Sequence, residues 1–144
     1  MIFRTALLLL AVLLSGCTAT KPAAPAAELL DTYWRPAEIA GSAIVIRPGT
    51  REPHLLLSKE GSRASSYAGC NSFSGSYVLA GGALRFGPMA VTRRACLGDG
   101  ADALESAFLQ ALGATTQQKI TGESLELLDA AGKPRMKLIA HPLH

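Results

Sequence analysis

Residues 6–14 of this 144-residue chain read ALLLLAVLL and end in Leu14-Ser15-Gly16-Cys17, with one positive charge, Arg4, ahead of them. An apolar run of that length cannot cross about 30 Å of hydrocarbon, which takes roughly 20 residues. It has the length of a secretory h-region, followed by small residues where a peptidase must fit them. The first sixteen residues are therefore read as a signal peptide, and whatever folds is built from Cys17 onward.

An ordinary secretory leader has no need of a cysteine at its cut. The order L-S-G-C resembles the bacterial lipobox, in which the thiol is alkylated by diacylglycerol and the new N-terminus is acylated. The competing reading is an ordinary leader with a chance cysteine near its end. Several acyl chains at one terminus exceed the two signals that stable membrane anchoring requires. The expected organisation is a signal peptide over 1–16, a lipid-anchored Ala/Pro-rich tether over 17–27 and a domain over 28–144. Pro22 and Pro25 hold the tether near extended geometry, as a semi-rigid spacer. Thr18, rather than Asp, follows the lipidated cysteine, which resembles sorting to the outer membrane on its periplasmic side. The expected first partner is thus a membrane, held through Cys17.

Removing Arg4 leaves 13 basic against 11 acidic side chains, and the basic ones are scattered without interleaved aromatics. A nucleic-acid footprint needs a basic stripe or face, so no nucleic-acid partner is expected. The one local cluster, Arg93-Arg94, is the size of an ordinary solvated loop.

Beyond the tether the signals are mainly those of short strands. Leu29–Trp34 mixes aliphatic and aromatic residues until Pro36 interrupts it. Ala43–Ile46 (AIVI) is β-branched and closed by Pro48-Gly49, and His54–Ser58 (HLLLS) ends at the Glu60-Gly61 turn. Ser76–Leu79 and Leu84–Phe86 flank Ala80-Gly81-Gly82-Ala83, a hairpin. Leu125–Leu128 and Met136–Ile139 flank Asp129–Pro134, a second hairpin with a longer loop. In the last strand Met136, Leu138 and Ala140 alternate with Lys137 and Ile139, which marks one buried face. One segment has helical spacing: Ala103, Leu104, Ala107, Phe108, Ala111 and Leu112 share a stripe, with Asp99 or Asp102 placed to cap its start and Gly113 to stop it. Phe108 and Leu112 are expected in the core. The fold class is α+β: a mainly antiparallel, curved, partly barrel-like sheet with one packed α-helix.

Cys70 and Cys96 stand 26 residues apart. In an exported domain two such cysteines most often pair, and closing a loop of that size contributes about 3.5 kcal/mol through the unfolded state. Two inert thiols, or a Cys70 nucleophile with His54 as its base, are the alternatives. His54, His141 and His144 are the only histidines, and neither H-x-x-x-H nor C-x-x-C spacing occurs, so no metal is expected. The serines of G-C-N-S-F-S-G-S lack the G-x-S-x-G elbow, acidic residues are isolated, and no G-x-G-x-x-G or Walker-type loop is present. No cofactor and no catalytic residue can be nominated.

What remains is Gly69-Cys70-Asn71-Ser72-Phe73-Ser74-Gly75-Ser76-Tyr77. This G-C-N-x-F-x-G-x-Y run is followed by a Gly-rich hairpin and then Met89, Thr92 and Cys96. Together they resemble the META domain, also called the HslJ-like family. Leu30-x-x-x-Trp34 resembles the family's first strand, Glu105-x-x-Phe108-x-x-x-Leu112 its helix, and Leu125-x-Leu127-x-Asp129-x-x-Gly132 its last hairpin. The resemblance covers roughly Leu29 to Ala140, in order. It departs from the family's pattern at Thr92–Cys96, where Met89 comes earlier and Ala95 directly precedes the second cysteine.

The physical reading of the motif is fold-specifying. Gly69 and Gly75 permit tight backbone geometry at a bend or bulge. Asn71 tolerates the left-handed region or satisfies loop amides with its side chain. Phe73 and Tyr77, four apart in a strand, face one side and fill a core. The resemblance implies a non-catalytic envelope lipoprotein, an interaction module in envelope stress or drug tolerance that binds an unknown protein or small apolar ligand. The alternative is a pilot or assembly lipoprotein holding an acyl chain or a partner's peptide.

Overall fold

The computed structural model describes residues 25–96 and 100–141. The signal peptide, Cys17, most of the tether, Asp99 and His144 lie outside the described residues. The elements in chain order are β1 (Tyr33–Ile39), β2 (Ser42–Ala43), β3 (His54–Ser58), β4 (Arg63–Tyr67), β5 (Ser72–Ala80) and β6 (Ala83–Phe86), then β7 (Ala90–Val91), α1 (Ala101–Ala114), β8 (Gln117–Thr121), β9 (Ser124–Leu128) and β10 (Pro134–His141).

Side chains alternate in and out along each long strand, and the inward ones supply the core. In β3, Leu55 and Leu57 are buried while His54, Leu56 and Ser58 are half-buried on the other face. Leu125 and Leu127 of β9, with Met136 and Leu138 of β10, repeat that pattern. Every pairing is antiparallel, and the order β1-β3-β4-β5-β6-β8-β9-β10 returns to β1 through Tyr33↔His141 to Ile39↔Met136. The sheet is therefore a closed eight-stranded barrel, the solution that removes free edges from an antiparallel sheet. Its thinnest seam joins β6 to β8 by the pair Ala83↔Gln117, with Leu84 N–H donating to Thr116 O and Gln118 N–H to Gly82 O, both at 3.1 Å.

Helix α1 packs on β10, β6, β1 and β9 and buries Phe108, Ala111 and Leu112. The Phe108 and Phe73 rings meet with centroids 6.1 Å apart. Trp34, Leu55, Leu84, Phe108, Leu125 and Leu138 are all fully inaccessible. The Trp34 indole N–H, buried with its ring, donates to Leu29 O at 2.9 Å.

The sequence reading differs from this structure in several places. Pro36 lies inside β1 rather than ending a strand, and it faces the core; the register shift between Pro36 and Glu38 absorbs it, as a bulge does. Residues before Tyr33 are not strand, because Asp31 takes a φ of 57°. Of the expected strand Ala43–Ile46, Ala43 alone belongs to a strand. Strands β4, β7 and β8 carry no strong apolar signal: the inward residues of β4 are Ala64 and Ser66. The helix starts at Gly100, with φ 89° and no capping side chain; Asp102 falls in its first turn and Gly113 inside it. Thr115 ends it, with its hydroxyl on Ala111 O at 2.7 Å.

Candidate functional site

The motif Gly69–Tyr77 forms the turn from β4 into β5 and the first part of β5. Gly69 takes φ 101°, a region that penalises any side chain. Cys70 and Cys96 form a disulfide with Cα atoms 5.7 Å apart, which ties this turn to the loop ahead of α1.

Asn71 sits at the centre and is 6% exposed. Its Oδ1 accepts from the Arg94 N–H at 2.8 Å and the Thr92 hydroxyl at 3.0 Å. Its Nδ2 donates to Glu105 Oε2 at 3.1 Å, while its backbone N–H donates to Glu105 Oε1 at 2.8 Å. One carboxylate from α1 thus clamps side chain and main chain of the same residue, and charge-assisted bonds of this kind are the strong ones. The Thr92 hydroxyl accepts from the Ser72 N–H at 3.0 Å. Of the two roles open to Asn71, the structure selects satisfaction of loop groups. The loop is held through Thr92 and the backbone of Arg94, so those bonds do not depend on the side chain in the Ala95 slot.

Gly75 lies in regular strand, not at a bulge. A Cβ there would meet Met89 Sδ at 2.6 Å and Pro88 O at 2.7 Å. Phe73 and Tyr77 flank it on the inward face, both buried. The Tyr77 hydroxyl donates to Ser58 O at 2.9 Å, and burial pushes its pKa above the ordinary phenol value.

Cys70, Cys96 and Glu105 bring three potential metal-ligand atoms within 4.8 Å of one another. A metal needs thiolates, whereas these sulfurs are bonded to each other. The Asn71 amide nitrogen also lies 3.5 and 3.8 Å from the sulfurs and 3.1 Å from the carboxylate. A polar amide thus stands where an ion would have to sit. The motif is an internal latch.

His54 is not brought to Cys70. It lies on the outer face of the barrel, stacked on Tyr33 at 4.6 Å between centroids and on Tyr67 at 6.3 Å. The Arg51 guanidinium covers the Tyr67 ring at 4.3 Å, a cation–π distance, and His141 approaches Tyr33 at 6.1 Å. Burial lowers the His54 pKa; its contact with the Glu52 carbonyl at 3.3 Å raises it, and the Arg51 charge lowers it. Arg35 pairs with Glu52 at 3.2 Å alongside. Sequence reasoning missed this ladder: Tyr33, His54 and Tyr67 all occupy outward positions, but strand register alone makes them neighbours.

No helix among the described residues is long and apolar enough to cross a membrane. The META domain family profile matches residues 27–141. The fold is similar to an NMR structure of a protein from Burkholderia xenovorans, at 26% identity and a TM-score of 0.59, over 86% of this chain and 99% of that one. A second NMR structure shares the fold at 21% identity and the same TM-score of 0.59, over 75% of this chain and 87% of the other. No curated protein matches.

Proposed function

This chain belongs to the META domain family, and from that premise we propose that it is a lipid-anchored, non-catalytic interaction module of the bacterial cell envelope, acting in envelope stress or drug tolerance at the periplasmic side of the outer membrane. The observation that carries the reading is where the chemically able side chains sit. Cys70, Cys96, Asn71 and Glu105 are engaged with one another, and Phe73 and Tyr77 fill the core. The aromatic ladder Tyr33–His54–Tyr67 with Arg51 stands on the outer surface, and tyrosine and arginine are enriched at protein interfaces. The alternative of a pilot lipoprotein with an acyl chain in its curved sheet draws no support from the interior, which Trp34, Phe73 and Phe108 occupy.

Two measurements test the proposal. Cys17→Ala should release the protein from membranes and change its mobility; equal membrane retention would remove the anchor. Capture of envelope proteins by the intact lipoprotein should fall in the double variant His54→Ala, Tyr67→Ala without loss of fold. An unchanged capture profile would take the ladder out of the function.

A further inference from the structure

The segment Ala43–Ile46 has the β-branched composition of a strand, and the fold leaves most of it unpaired. Ala43 and Ser42 face Glu38 and Ile39 of β1, and the Ile44 N–H donates to Ala37 O at 2.9 Å. Beyond Ile44, among the described residues, the amides of Val45 and Ile46 donate to no backbone carbonyl. The Arg47 N–H likewise has no backbone acceptor among the described residues, so the stretch after Ile44, which has left the strand, carries unpaired donors at Val45 and Arg47. Val45 is 86% exposed.

A groove runs between this segment and α1. One part, about 250 Å³, has Ile39, Ile44, Leu104 and Ala107 in its walls. It continues into a second, about 220 Å³, that Arg47 and Arg51 line. Val45, Gly100 and Leu104 belong to both. Among the described residues, neither arginine has a carboxylate within ion-pair distance.

We propose that this open edge is a β-augmentation site that takes an extended segment of a partner protein with alternating aliphatic and acidic side chains. It deepens the interaction-module reading and rests on it. Main-chain bonds to an exposed edge give affinity, and pockets for alternate side chains give specificity. An acyl chain offers nothing to the amides of Val45 and Arg47. A second copy of this chain, paired through the same segment, would bring its own Arg47 and Arg51 to this edge and add positive charge there. An acidic strand answers both features, and its aliphatic residues reach the groove floor.

The test uses the full chain in detergent and a dye-labelled peptide of alternating valine and glutamate. Binding should be saturable, and it should weaken at least about tenfold for a valine/lysine peptide, for a peptide N-methylated on alternate amides, and for Val45→Pro, which removes one unpaired N–H. Val45→Thr should stay within about twofold, and Arg47→Glu with Arg51→Glu should reverse the charge preference. Hydrogen exchange at Val45 and Arg47 should be fast in the free protein and slow in the complex. The proposal is overturned by absent binding, by equal binding to Val45→Pro and the N-methylated peptide, or by slow exchange at Val45 in the free protein. A peptide-free dimer that Val45→Pro dissociates would assign the edge to a second copy instead. Membrane release of Cys17→Ala reads the envelope proposal separately and leaves these affinities untouched.

Discussion

The turn at Asn71 and the segment at Val45 are both loops beside α1, and they are built on opposite terms. Around Asn71 the side-chain amide and the backbone N–H all find partners: Arg94 N–H, the Thr92 hydroxyl and both oxygens of Glu105. Around Val45 the backbone is left open, and a large aliphatic side chain stands in solvent. A satisfied buried network rigidifies and specifies one structure. An unsatisfied exposed edge specifies nothing internally and is a template for another chain. The residues that mark the family are on the first side of this contrast.

The contrast breaks most visibly if the disulfide is removed. Cys70→Ser and Cys96→Ser should each cost about 2–5 kcal/mol, the usual range for a native bridge in a small exported domain. The double variant should cost little more than either, because both report one bond. Denaturant titration measures this, and alkylation of the unfolded, unreduced protein should label neither cysteine.

Asn71→Ala comes next, at about 1–3 kcal/mol, since it leaves the Arg94 N–H without its acceptor and removes a donor to Glu105. Gly75→Ala should cost a similar amount, about 1–3 kcal/mol, through contact with Met89 and Pro88. A thermal melt at wild-type stability for either variant would mean that the latch is looser than its distances indicate. In the opposite direction, the Ser66 hydroxyl is buried in β4 and finds no hydrogen-bond partner among the described residues. Ser66→Ala should therefore be neutral or stabilising by about 1 kcal/mol.

On the outer face the expected effects are smaller and depend on pH. Burial holds the His54 pKa below its ordinary value of about 6.5. The folded state then disfavours the proton that the unfolded chain accepts. The contribution is complete above about pH 6.5 and is lost as pH falls through the lowered folded value. His54→Gln should flatten that limb of the stability profile, and an unchanged profile would remove His54 as its source. Val45→Thr should fall within about ±0.5 kcal/mol, as a surface change away from any packed feature. A large loss there would mean that the edge is already covered.

Much of the fold was legible along the chain. HLLLS, the Gly81-Gly82 hairpin and the Met136/Leu138 alternation each carry their period in adjacent residues, and each is a strand or turn as read. The Phe108/Leu112 stripe placed the buried face of α1 for the same reason. The pairing of Cys70 with Cys96 was the favoured reading because two cysteines remain once Cys17 is read as the lipidation site and no competing motif accompanies them. Strand β4 was not legible, because its inward positions are Ala64 and Ser66. Pro36 reads as a breaker until a bulge absorbs it.

By itself, then, the sequence determined the local elements with strong periodicity, the buried stripe of helix α1 and the family, and it favoured the Cys70–Cys96 pair over its alternatives. Those signals lie within a few residues of one another or in the order of the family's motifs along the chain. Tertiary structure alone decided that the sheet closes on itself, that Glu105 reaches across to Asn71, that Tyr33, His54 and Tyr67 stack, and that AIVI has strand character without a full partner. Each of these depends on register between segments distant in the chain. Composition sets which residues favour extended backbone, but pairing is a property of two strands, and only the folded chain says which edges meet.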